Sequence, residues 1–287
     1  MRTRRILCPP VLAFALLAPA VAQDGRPAMS QADAINQAGI VHFRQFEFEQ
    51  ALGMFGSAAK MYVLSGDIKG EATALSEIAM CLDGLGEKQR ALEYLDEALS
   101  KWRRVGDRDN QASVLGKKGD IYRSWGFPDQ SVRYYRQALP LFLLAGDRAG
   151  RAATLNNLGL AHLEMGNRKR ALEILQQSLG LYLTLDDEGG VASVLINLGA
   201  GYNQARDSSH ALEALNRALE MAKTLRAPDL EARALNGIGQ AYANLGDRGK
   251  ALESYNLALA EFEKLGNRAG DAEVSKNIAA LSRIRTK

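Results

Sequence analysis

Disulfide chemistry is the first resource this chain does without. Its 287 residues hold two cysteines, Cys8 and Cys81, and Cys8 falls in an N-terminal stretch that reads as a removable leader. Cys81 is then alone, so no internal disulfide is expected, and some 265 stacked residues can bury enough apolar surface without one. Histidine is as scarce. His42, His162 and His210 are far apart in sequence, whereas a zinc centre or a nucleophilic triad needs its histidine beside other ligands or a nucleophile. No glycine-rich phosphate cradle occurs either, because the glycines recur about every 20 residues as helix stops. No catalysis, metal or cofactor is therefore expected. Charge of one sign is also missing. Setting aside Arg2, Arg4 and Arg5 of the leader leaves 33 basic residues against 33 acidic ones, without the basic excess that binding to nucleic acid or an anionic membrane needs.

The leader is residues 1–22. Its three arginines precede an apolar run from Val11 to Leu17, and Ala20-Val21-Ala22 offers a small-x-small cleavage site before Gln23. The apolar run is too short to cross a bilayer, which takes ~20 residues. Export, to the periplasm, is the expectation, with no integral span after cleavage. Residues 23–30, with Gly25 and Pro27, read as a flexible lead-in, and residues 31–287 as one repeat domain.

What the chain has in abundance is self-similarity at 40 residues. Ala72, Ala112, Ala152, Ala192, Ala232 and Ala272 form one column, and Leu75, Leu115, Leu155, Leu195 and Leu235 a second. Gly119, Gly159, Gly199 and Gly239 form a third, flanked by Ala79 and Ala279. In the second half of each unit Phe55, Leu95, Tyr135, Leu175, Leu215 and Tyr255 align, between columns of alanine and serine. Small columns beside bulky ones are what two close-packed helices require, and a single unit would leave one apolar face in water, so the units must stack.

The order Leu155, Leu158-Gly159, His162, Gly166, Ala171, Leu175, Ser178 resembles the tetratricopeptide repeat. The 40-residue period is similar to that of kinesin light chain and LGN-type adaptors. The resemblance spans residue 31 to the C-terminus and implies an all-α fold. That fold is a right-handed superhelical solenoid of antiparallel helix hairpins, six repeats plus a C-terminal capping helix ending in Arg283, Arg285 and Lys287.

Register assigns most polar residues a place. Gly66, Gly106, Gly146 and Gly266 read as left-handed helix stops, with Asp67, Asp107, Asp147 and Asn267 capping the helices that follow. The glycine lapses at Asp186, Arg206 and Arg226, where either an altered turn or a hinge is expected. His42 and His162 share a column with Leu82, Tyr122, Tyr202 and Tyr242, and so replace packed side chains. His210 sits at a solvated helix start, and Cys81 at a buried position.

In the family, the first helix of each hairpin lines a peptide-binding groove. Carried over by register, this implies Asp120 and Arg123 in the third unit and Asn156, Asn157, Leu160 and Glu164 in the fourth. It implies Asn197, Asn203 and Gln204 in the fifth unit, Arg233, Asn236, Gln240 and Asn244 in the sixth, and Lys276 and Asn277 in the final helix. A carboxamide offers a donor and an acceptor together and can pair with any extended backbone. The expected function is a non-enzymatic scaffold or adaptor holding a peptide segment or protein partner. Two rivals are a regulatory or substrate-recruiting subunit of an exported hydrolase acting in trans, and self-association through the terminal repeats.

Overall fold

The computed structural model describes residues 30–283, so the expected leader, most of the expected lead-in and the last four residues lie outside them. Every element in that span is an α-helix. Six antiparallel hairpins follow one another. They are α1 (Gln31–Arg44) with α2 (Phe48–Ser65), α3 (Ile68–Gly84) with α4 (Lys88–Arg104), and α5 (Arg108–Ser124) with α6 (Pro128–Ala145). Then come α7 (Arg148–Glu164) with α8 (Arg168–Thr184), α9 (Glu188–Gln204) with α10 (Ser208–Leu225), and α11 (Pro228–Leu245) with α12 (Arg248–Leu265). A thirteenth helix, α13 (Arg268–Arg283), closes the described span.

Helix starts follow from capping. The Asp67, Asp107 and Asp147 carboxylates accept the amide hydrogens of Gly70, Asn110 and Gly150 at 2.9, 3.0 and 2.9 Å, and Asn267 does the same for Gly270 at 3.0 Å. Because the cap bonds an amide three residues on, these helices begin directly after the aspartate. Ser30 and Asp33 form a reciprocal capping box on α1. The second helix starts at Phe48, because Phe46 is taken by the turn.

The columns are the core. Phe55, Leu95, Tyr135, Leu175 and Leu215 are fully buried, as are Ala72, Ala112, Ala152, Ala192 and Ala232. Tyr62, Trp102, Phe142, Tyr182 and Phe262 are buried beside them, with Ala222 filling the one gap. Cys81 is core filling, and its burial pushes the thiol up to about 12, leaving it uncharged. The last unit departs from this pattern. Ala272 and Ala279 are exposed, because α13 has no second helix among the described residues to cover that face, while Val274 and Leu281 bury the opposite face against the preceding hairpin. Of the proposed basic end of this cap, Arg285 and Lys287 lie outside the described residues.

The turns lacking glycine keep the geometry of the others. Asp186, Arg206 and Arg226 have φ of 53°, 59° and 53°, beside 65° to 85° for the eight glycines at matching places, and Phe46 joins them at 60°. At Asp186 the following amide still closes on Tyr182 at 3.2 Å, and Asp187 caps the amide of Gly190 at 2.8 Å. No altered turn or break in the backbone distinguishes this segment. The left-handed region costs an L-residue about 1–2 kcal/mol, partly offset by the greater freedom glycine loses on folding. Each of Asp186→Gly, Arg206→Gly and Arg226→Gly is expected to gain about 0.5–1 kcal/mol, read as an additive rise in the urea midpoint. A fall in the midpoint would show that these side chains contribute contacts worth more than the strain.

Candidate functional site

Curvature decides which face is available to a partner. Each second helix packs on the first helix of the next unit, and the further close pairs across unit boundaries are α1 with α3, α5 with α7, α7 with α9, α9 with α11, and α11 with α13. All these further pairs are of first helices and none is a pair of second helices. The first helices therefore crowd together on the inside of the curve and the second helices fan apart outside. The residues carried over by register all belong to these first helices.

Most of those residues are already engaged with one another. Asn197 donates from Nδ2 to Asn156 Oδ1 at 2.8 Å, and Asn277 to Asn236 Oδ1 at 3.0 Å. Asn244 donates to the backbone oxygen of Asn203 at 3.0 Å, and Asn203 to that of Gly237 at 2.9 Å. Arg123 pairs with Glu164 at 2.8 Å, Arg233 reaches Asn197 Oδ1 at 3.5 Å, and Asn236 donates to Glu273 at 2.9 Å. This corrects the expectation that the carboxamides form a set of open donors and acceptors. They rivet α5, α7, α9, α11 and α13 each to the next, and Asn197 and Asn203 are each only 3 % exposed. The sequence contained the signal. Asn156 and Asn197, Asn236 and Asn277, Asn203 and Asn244, and Arg123 and Glu164 are each 41 apart, one more than the period, which is the offset of residues facing across a unit boundary.

Asp120 anchors the ladder at its N-terminal end. Its Oδ1 accepts from the Tyr135 hydroxyl at 2.6 Å and from Asn157 Nδ2 at 2.9 Å. Burial pushes its carboxyl above the usual range, opposed by Tyr135, Arg123 and Asn157. Further along, Gln204, Gln240 and Lys276 are exposed, and none makes a hydrogen bond or ion pair within the described residues. Leu160, on α7, is half-buried. Register did not find Glu273, whose carboxylate takes the Asn236 amide. Nor did it find Lys118, 4 % exposed, which bonds Asp96 at 2.5 Å and lies over the Tyr134 ring.

The histidines do not converge. His42, half-buried, pairs with Glu47 at 2.5 Å. Contrary to its place in a packed column, it lines an open apolar depression between α1 and α2. His162 is buried in the fourth unit, and His210 bonds Asp207 at 2.6 Å at the start of α10.

Profiles described as tetratricopeptide repeat match residues 70–143, 110–184 and 150–224, and a further one matches 232–263, together well over half the chain. The chain belongs to the tetratricopeptide repeat family. No curated protein sequence matches it. Solved structures share the fold at low identity. BtubC (BKLC) from P. vanneervenii is 20% identical, with a TM-score of 0.63 over 83% of this chain and 93% of its own. A Rap protein complexed with competence and sporulation factor is 14% identical, with a TM-score of 0.64 over 88% and 74%. A kinesin light chain from Podosopora anserina with nearly identical TPR-like repeats is 16% identical, with a TM-score of 0.55 over 68% and 96%. Within the tetratricopeptide repeat family the described residues of this chain thus form a superhelix of six hairpins and a following first helix. Its inner wall is held in register by side-chain rivets, and no helix among the described residues is long and apolar enough to cross a membrane.

Proposed function

We propose that the protein is a non-catalytic adaptor, exported to the periplasm, that holds an extended segment of a protein partner along its inner face. The observation that carries this reading is the division of labour on that face. The rivets fix the spacing of α5, α7, α9, α11 and α13, so the wall is pre-organised and loses little freedom on binding. Gln204, Gln240 and Lys276 stand free on the same helices. Two carboxamides and an ammonium favour a backbone-paired segment carrying an acidic group near the α13 end. Membership of a family built as a repeat scaffold supports the reading, as does the balanced charge left once the leader is removed.

The test compares capture of periplasmic proteins by the wild-type chain, by Gln204→Ala/Gln240→Ala/Lys276→Ala, and by an outer-face control, Glu213→Ala/Arg217→Ala/Glu253→Ala. The inner variant is expected to lose at least about tenfold in affinity for the captured partner, the effect of removing a small cluster of central contacts, while the control binds as wild type. Equal capture by both variants would refute the groove. Accumulation of the chain in the cytoplasm with residues 1–22 intact would refute export. The rivet asparagines are unsuited to this test because their loss also loosens the wall.

A further inference from the structure

The fourth unit carries a basic depression that the groove does not use. It lies where α7 turns into α8 and has a volume of about 680 Å³, lined by His162, Gly166, Asn167, Arg168, Lys169, Arg170 and Glu173. Three cations in succession open α8, and its first turn has no acidic residue. That is the wrong sign for the positive end of a helix dipole. The matching positions of the next two units carry aspartates: Asp207 and Asp247 accept the amides of His210 and Lys250 at 3.2 and 3.1 Å. In the fourth unit the residue is Asn167, whose side chain caps nothing, so the amides of Lys169 and Arg170 remain free to donate.

A second observation is independent of the helix end. His162 is only 5 % exposed, yet neither ring nitrogen has a hydrogen-bond partner, which is unusual for a buried polar side chain. In the third, fifth and sixth units a tyrosine stands in its place and meets a neighbour. Tyr122 stacks on Tyr134 at 5.2 Å, Tyr202 stacks on His210 at 5.3 Å, and Lys250 lies 5.2 Å over the Tyr242 ring. The shorter imidazole reaches no such partner, and Arg170 turns to Glu173 at 3.0 Å instead.

We propose that this depression binds a phosphate-class oxyanion, taken by the first-turn amides of α8 and the Arg168 and Lys169 side chains, with His162 as the buried partner beneath. An anion there supplies the negative charge that Asp207 and Asp247 provide in the next units, and gives the imidazole the acceptor it lacks. The charged groups around His162 are Arg136 on α6 and Arg168, Lys169, Arg170 and Glu173 on α8. Burial first, then Arg136 and Arg170, hold its pKa below the usual 6.5. The ring thus contributes stability that is present above pH 6.5 and lost as pH falls through its lowered value. A bound anion raises that value and reduces the acid loss.

The experiment titrates the full chain with inorganic phosphate in a low-chloride buffer at pH 6.5, following the His162 ring proton by NMR and the melting temperature. A parallel arm uses glycerol phosphate. Binding is expected to shift the His162 resonance, raise its titration midpoint and raise the melting temperature. Response to both ligands identifies a site for phosphomonoesters, and response to inorganic phosphate alone a site for the free anion. Arg168→Ala/Lys169→Ala should weaken binding at least about tenfold. Asn167→Asp supplies a carboxylate in place, and should melt higher without phosphate and respond to it at least about tenfold more weakly. An unmoved His162 resonance at about 50 mM phosphate, well above the range of a site with several charged donors, overturns the proposal. Wild-type binding by both variants overturns it equally.

Discussion

Tyr135→Ala is expected to lower the stability of the chain by about 3–5 kcal/mol, as removal of a fully buried aromatic does, with a midpoint shift large enough to read in any urea titration. Tyr135 is completely buried, its ring lies where a side chain on Gly119 would be, 2.5 Å from an added Cβ, and its hydroxyl donates to Asp120 at 2.6 Å. Burial and the neighbouring Asp120 push the phenol's pKa up, so it stays protonated and keeps donating. Tyr135→Phe separates packing from polarity. It keeps the ring and removes one hydrogen bond to a buried carboxylate, a loss of about 1.5–3 kcal/mol when the carboxylate is ionised. The sign of the pH dependence follows from Asp120, whose folded pKa lies above the ordinary 3.8 because burial outweighs its hydrogen bonds. In that window the native state holds a proton the unfolded state has released, so stability falls as pH rises through it. Removing the hydroxyl takes away one of the interactions that favour the ionised form. The deficit of Tyr135→Phe against wild type should therefore be larger at pH 7.5 than at pH 4.5, and Asp120→Asn should flatten both profiles. An equal deficit at the two pH values would mean that the bond carries no charge-dependent energy.

Asp120 also shows where reading by register stops. A column says that a position faces inward, and the alanine, leucine and glycine columns did place the core, because side-chain volume at 40-residue spacing has one packing solution. Polar residues have two solutions. An inward asparagine can face a ligand or face the next helix, and the column is the same in both cases. The geometry separates Asn197, 3 % exposed and bonded on both sides, from Gln204, which is exposed, although both were carried over as groove residues. Turns were legible where glycine marked them and illegible at Phe46, because a left-handed phenylalanine has no compositional sign. It is tolerated there by edge-on contact with Phe48, 6.1 Å between ring centroids. The exposure of Ala272 and Ala279 follows from connectivity rather than residue type. Their column is buried only where a second helix follows.

A methyl group added at Gly199 should destabilise the array by about 1–3 kcal/mol, as overpacking of a filled core does, although alanine is the better helix former by about 1 kcal/mol. The added Cβ would lie 2.4 Å from Leu215 Cγ and within 2.9 Å of both its terminal carbons. Leu215 is fully buried, and the same side chain lies 2.6 Å from where a Cβ on Gly237 would sit, so it cannot retreat toward α11. Leu215→Ala alone should lose about 2–5 kcal/mol by leaving a cavity. The double variant Gly199→Ala/Leu215→Ala should lose at least about 1 kcal/mol less than the two singles combined, since each change relieves the defect of the other. Urea titrations of the four proteins measure the coupling, and strict additivity would show that the two helices can separate at no energetic loss. Ala79, at the same column of the second unit and fully buried near Leu95, shows that alanine itself is compatible with the fold. What forbids it at Gly199 is the approach of α9 to both α10 and α11, the place where the Asn203 to Gly237 bond draws neighbouring units together. A unit in the interior of a linear array supports both neighbours, so loosening α9 uncouples the two halves of the inner wall, and binding along that wall should weaken together with stability.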